Sequence, residues 1–173
     1  MAKIKLNNVR LSFASIFRKA TFNGDETKYE GTFLIDKDTQ ADQIATINAA
    51  IKAMLTEKKS KLAADRICFT DGDDIDYDGY AGHMSIKAGN GKRPLVIDRD
   101  KAPLAEDDGR PYSGCYVNAI LELWFQDNAY GKRVNCNLDA VQFVKDGQPF
   151  GDGGSTASID DFDVVDGDDG DLF

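Results

Sequence analysis

Two runs late in the chain set the strongest constraint on its fold. Residues 113–127, SGCYVNAILELWFQD, put Val117, Leu121 and Leu123 on one side and Tyr116 and Trp124 on the other. Residues 131–146, GKRVNCNLDAVQFVKD, alternate Val134, Cys136 and Leu138 with Arg133, Asn135 and Asn137. Successive side chains leave a strand on opposite faces, so a period of two over this length predicts two long strands. The short NAYG between them predicts a hairpin. One of its faces is apolar and must be covered; the other is polar, aromatic and basic.

Four shorter β-prone runs, at 3–13, 28–36, 82–88 and 94–98, are bounded by Gly, Asn, Asp or Pro. One segment breaks the pattern. From Thr39 to about Ala64, Ile44, Ile47, Ile51, Met54, Leu55 and Leu62 recur at steps of three and four, which predicts an amphipathic helix. Asp38 or Thr39 is placed to cap its start. Its far face carries Lys52, Lys58, Lys59 and Lys61 and reads as a solvated surface. The expected class is mainly β: a Greek-key barrel of the OB-fold kind with one inserted helix. A sandwich is the alternative, and the single helix counts against it.

Charge divides the chain in two. The net charge is -9, from 21 basic and 30 acidic residues, yet nine of the acids and none of the bases lie beyond Lys145. Residues 1–145 therefore balance 21 acids with 21 bases, and the end carries the whole excess. The stretch GDGGSTAS (151–158) reads as a linker. DDFDVVDGDDGDLF (160–173) is too charged to offset its ordering entropy and is expected to be disordered. The domain reading is a body over 1–150 and a linker with acidic tail over 151–173. A neutral body removes the objection that an acidic protein should avoid phosphates.

No apolar run approaches the length of a membrane span, and the N-terminus lacks a signal-peptide block. Cys68, Cys115 and Cys136 are odd in number and widely spaced, which argues for reduced thiols in a cytoplasm. No cofactor motif is present. GNGKRP (89–94) lacks the spacing of a phosphate loop, no GxSxG occurs, and His83 is the only histidine. Nothing here suggests an enzyme. The acidic DGDDIDYDGY (71–80) imitates the opening of a calcium loop, but Ser85 stands where the closing glutamate belongs, so a solvated loop is the preferred reading and no metal site is assigned.

Cations interleaved with aromatics are more suggestive. Tyr80 and Lys87 precede Lys92 and Arg93 in a glycine loop; Tyr112, Tyr116 and Trp124 follow, then Lys132 and Arg133 on the partner strand. Cations can track phosphates while flat rings stack on bases of any identity, the combination that binds single strands. These nine residues are the candidate DNA contacts.

The acidic end resembles the tails of single-stranded DNA-binding proteins from bacteria and phages, which finish in aspartates and a phenylalanine. VRLSFASIF, KYEGTFLIDKD, DGDDIDYDGYAGHMSIKAGNGKRPLVID, YSGCYVNAILELW and GKRVNCNLDAVQFVKDGQPFG resemble a family of phage single-stranded DNA-binding proteins, related in architecture to the replication protein of T-seven-like phages. The resemblance implies an OB-fold, binding to single strands with little sequence preference, and recruitment of a polymerase, helicase-primase or nuclease through the tail. Asp168, Asp169, Asp171, Leu172 and Phe173 would carry that recruitment. A homodimer stays open beside a monomer. Two other classes compete: a DNA mimic, which would spread acids over the body, and a metal nuclease using Asp73, Asp74, Asp76 and Asp78.

Overall fold

A computed structural model describes residues 1–150 and 162–165. In chain order its elements are β1 (Ala2–Ser15), β2 (Thr21–Phe22), β3 (Asp25–Glu26), β4 (Tyr29–Asp36), α1 (Ala41–Glu57), β5 (Phe69–Asp71), β6 (His83–Asn90), β7 (Leu95–Ile97), β8 (Tyr116–Asn128) and β9 (Gly131–Lys145). The long hairpin forms as read: β8 and β9 pair antiparallel from Tyr116↔Lys145 to Asn128↔Gly131. Along both strands buried and half-buried residues alternate, as the sequence pattern requires.

Pairing then runs round a closed circuit. β1 pairs with β8 through its first half and with β4 through its second, β4 pairs with β6, and β6 meets β9 in parallel at Gly89↔Asn137. The order β1–β4–β6–β9–β8 returns to β1, a five-stranded OB-like barrel that leaves none of these strands as a free edge. β1 serves two neighbours because its pairing shifts twice, between Leu6 and Val9 and between Ser12 and Ser15. Asn8 (φ 54°) and Phe13 (φ 50°) sit in those irregularities in the left-handed region. Bulges of this kind bend a strand and re-aim its side chains.

The barrel is filled by Leu6, Leu11, Phe33, Ile35, Ile86, Leu121, Leu123 and Leu138, all fully buried. Burying one such side chain contributes roughly 1.5–3 kcal/mol. α1 adds Ile47, Ile51 and Met54 to the same core. The helix is shorter than its periodicity suggests, ending at Glu57. Lys59 takes φ 49°, and the amides of Lys59 and Ser60 donate back to Thr56 and Leu55. That bonding closes a helix regardless of apolar spacing further on. Leu62 lies past the helix but still packs on the core. Neither expected cap is used: the residue before α1 is Gln40, and Asp36 instead accepts from the amides of Asp38 and Thr39 at 2.8 and 3.1 Å. Those two bonds hold the Asp36 carboxyl below its usual pKa.

The acidic stretch after β5 is tied down by one cation. Lys37 Nζ reaches Asp71 Oδ1 at 2.6 Å and Asp73 Oδ2 at 2.7 Å, while the Asp73 carboxylate also accepts from the Gly82 amide. Hydrogen bonds from Lys37 lower both carboxyl pKa values below 3.8, and the same bonds raise that of Lys37 above 10.5. For the aspartates, the folded value lies below the unfolded one. Their contribution is thus complete above pH 3.8 and lost as pH falls through the lowered values. Lys37→Met should lower the denaturation midpoint at neutral pH. The gap to the parent should hold over roughly pH 5 to 9 and narrow as pH falls below 3.8 through the lowered carboxyl values, measured by urea titration.

Candidate nucleic-acid interface

The outward faces of β6 and β9 meet where the barrel closes. Beyond Gly89↔Asn137 these strands diverge, and Ile67 and Cys68 enter the gap. The Cys68 amide donates to the Val134 carbonyl of β9 at 3.0 Å, and the Lys87 amide of β6 donates to the Cys68 carbonyl at 3.0 Å. Cys68 therefore forms a floor between two strands. Two cavities open over it, of about 410 Å³ and 490 Å³. Cys68, Lys87 and Arg133 line both, so the cavities form one continuous groove with two cations at its waist.

Each half of the groove carries aromatic surface. In the first, Phe13, Tyr77 and Tyr80 form an edge-to-face series with centroids 5.1 and 5.4 Å apart. Phe13 is 44% exposed and Tyr77 58%. The shifted register of β1 brings Phe13 here; simple alternation from buried Leu11 would have turned it inward. In the second half, Trp124 of β8 lines the wall with Asn135 and Asn137 of β9, and Lys28 adds a third cation. Lys28 lies across Gly89: a Cβ there would come within 2.8 Å of its Cε and 3.1 Å of its Nζ. The bare glycine leaves room for the ammonium to rest on the sheet.

The cations are lightly engaged. Lys87 Nζ is 3.9 Å from Glu30, and Arg133 donates to the Asp65 carbonyl at 3.1 Å. Among the described residues Arg133 has no carboxylate within ion-pair distance. Such a groove can hold an anionic chain along its waist with flat groups at both ends.

The structure brings Lys87, Trp124 and Arg133 together. Tyr80 borders the groove but does not offer the open face expected of it. It is 3% exposed, with its hydroxyl donating to Ser12 Oγ at 2.9 Å. Tyr77, three residues earlier, presents the exposed ring. Tyr112 and Tyr116 lie elsewhere: Tyr112 donates to Asp146 at 2.7 Å, and Lys145 sits 4.8 Å from the Tyr116 ring. Tyr116 is eight residues along β8 from Trp124, roughly 27 Å at the rise of a strand. Lys92 and Arg93 occupy the loop after β6, with Arg93 5.9 Å from the Phe17 ring; Lys132 is exposed beside Asp127. Asp168, Asp169, Asp171, Leu172 and Phe173 lie outside the described residues.

Sequence reasoning passed over Phe13, Lys28 and Tyr77. The acidity around Tyr77 argued against it, yet Lys37 draws two of those carboxylates aside. The root of the tail is also placed. Phe150 packs against Gly79, under Arg10 at 4.0 Å, and Arg10 donates to the Gln148 carbonyl at 2.6 Å. The chain therefore leaves the body beside the loop that carries Tyr77.

The sequence and the fold are both similar to those of known proteins. A family model described as the ssDNA-binding protein of Enterobacter phage Enc34 matches residues 2–173. Putative protein p50 of Acyrthosiphon pisum secondary endosymbiont phage 1 is 46% identical over 173 residues, covering 93% of this chain and 92% of that protein. The solved structure of the single-stranded DNA-binding protein from bacteriophage Enc34, in complex with ssDNA, superposes with a TM-score of 0.77 at 32% identity. It covers 86% of this chain and 89% of that one. Gp2.5, a single-stranded DNA-binding protein of bacteriophage T7, shares the fold at a TM-score of 0.55 and 14% identity, over 92% of each chain.

The thiols report on the groove floor. Cys68 is half-buried, and a hydrogen bond from the Cys136 thiol lowers its pKa; the same contact and burial raise that of Cys136. Burial pushes Cys115 up to about 11. Alkylation followed by mass mapping should label Cys68 first, and Cys115 only on unfolding.

Proposed function

Because the chain belongs to the family of phage single-stranded DNA-binding proteins typified by that of Enterobacter phage Enc34, we propose that it coats and protects single strands during phage replication and recombination in the host cytoplasm. The observation that carries this reading is the groove, with Lys87 and Arg133 at its waist and open rings at either end. Phosphates run past the cations while unpaired bases stack on Phe13, Tyr77 and Trp124. Contacts of this kind ignore base identity, since every base has a flat face. Two hairpin tips carry further exposed rings. Phe22, at the β2–β3 turn, and Tyr130, at the β8–β9 turn, are 71% and 84% exposed, and both turns grow from chain segments that wall the groove. In OB-folds these connections commonly grip the strand.

Binding should favour single strands over duplex and weaken steeply with salt. Lys87→Gln and Arg133→Gln should each lower the salt slope by about 0.7 to 1. Phe13→Ala, Tyr77→Ala and Trp124→Ala should each cost roughly 1–3 kcal/mol of affinity for oligo(dT), by fluorescence anisotropy. Tryptophan emission should quench on binding, since Trp124 is the only tryptophan. Equal affinity for duplex, or no response to the ring substitutions, would refute this account.

The tail supplies regulation and recruitment in the same proposal. Its root lies beside the Tyr77 loop, so its aspartates can reach the groove's cations and compete with phosphates. Leu172 and Phe173, with Asp171 before them, form a compact ligand for an apolar pocket with a basic rim on a replication protein. Deleting residues 159–173 removes seven aspartates. The shortened chain should bind single strands more tightly, most of all at low salt. Phe173→Ala keeps every charge, so it should leave DNA affinity unchanged while abolishing capture of the replication partner in a pull-down. Weaker DNA binding on truncation would show that the tail does not compete.

A further inference from the structure

Away from the groove, the end of α1 carries a second cavity of about 470 Å³. Ile51 and Leu55 form its floor, and Lys52, Lys59 and Lys61 stand round it with their aliphatic stems as walls. Among the described residues no carboxylate lies within ion-pair distance of these lysines. Lys59 is the more telling because of its backbone. It occupies the left-handed position that closes the helix, at φ 49°, where glycine sits without a steric penalty. A side chain kept at such a position places an ammonium on the cavity's rim.

An apolar floor ringed by cations fits an acidic segment that ends in large apolar residues. This chain contains one. Residues 166–173, DGDDGDLF, combine four aspartates with Leu172 and Phe173. The body from 1 to 145 is charge-neutral, so the tail is where the unbalanced acids lie. Twenty-two residues lie between Phe150 and Phe173. At up to about 3.4 Å each, they span any distance across a domain of this size.

We propose that the α1 cavity is a receptor for the chain's own C-terminal end, residues 166–173, with Leu172 and Phe173 on Ile51 and Leu55 and the aspartates among the lysines. This rests on the reading of the tail as a ligand and gives its terminal ring a seat separate from the DNA groove. The aspartates near the tail's root can oppose DNA while the terminal ring is held on α1. The ring remains sheltered until a replication protein with a better pocket takes it.

The test uses the full-length chain with p-benzoylphenylalanine in place of Phe173, irradiated with and without saturating oligo(dT) and mapped by mass spectrometry. Cross-links should fall within residues 48–61 and persist with oligo(dT). Lys52→Gln with Lys59→Gly should reduce them roughly three-fold or more. Lys59→Gly alone should raise thermal stability while lowering cross-link yield, a combination that a purely structural lysine would not produce. Cross-links on groove residues that oligo(dT) erases would assign the tail's end to the DNA site and overturn the proposal. So would α1 cross-links that oligo(dT) erases, because the lysines would then serve phosphates, and so would no cross-links to the chain at all. The DNA affinity gained on truncation, measured separately, reports competition for the groove wherever Phe173 sits.

Discussion

Everything on the functional face depends on how β6 is joined to β9. The strands touch directly at one pair, Gly89↔Asn137, and the remaining gap is bridged through the backbone of Cys68, which bonds one strand with its amide and the other with its carbonyl. A side chain at Gly89 would push Lys28 from its resting place. With closure made in this way, the outward faces of two strands distant in sequence lie side by side. Lys87 and Arg133 become neighbours across a shared floor. Neither strand alone makes a groove.

Electrostatics is sorted by pairing rather than by net charge. A chain at -9 can present a cationic groove because some of its acids are paired with other cations and nine lie beyond Lys145 in the sequence. Asp71 and Asp73 are held by Lys37, Asp98 by Arg110 at 2.6 Å, and Glu106 by Arg18 at 2.7 Å. These pairs are partly or largely exposed, so each contributes only modestly to stability. Their larger effect is on the field: each neutralises an acid locally, while among the described residues Lys28 and Arg133 have no carboxylate within ion-pair distance. The same neutral body makes a DNA mimic a poor description of this chain, since mimicry needs acids spread over the folded surface.

Aromatic placement shows what local irregularity accomplishes. Phe13 reaches the groove through a bulge and a left-handed backbone, a conformation that costs a non-glycine residue roughly 1–2 kcal/mol. Tyr80 is drawn beneath its neighbour to bond Ser12, and Tyr77 above it stays open. Strain at Phe13 and burial at Tyr80 thus produce one exposed pair of rings over a packed third.

The amino-acid sequence by itself determined the hairpin of β8 and β9, the barrel class, the existence of α1 and the division into neutral body and acidic end. Each depends on a local period or a local charge count, and alternation over thirteen and fifteen residues leaves a strand no other choice. The outward placement of the candidates Trp124, Lys87 and Arg133 was legible for the same reason, since each stands on a regular strand. Tertiary structure alone decided the rest. Phe13 depended on a register shift, Tyr77 on a lysine reaching across from the end of β4, and Lys28 on an empty space over Gly89. Tyr112 and Tyr116 share the expected chemistry but lie along the sheet from the groove. Helix length followed the same division, because periodicity continued past Glu57 while hydrogen bonds at Lys59 and Ser60 closed the helix. Periodicity assigns a residue to a face; only the closing of the barrel decides which parts of different faces line one groove.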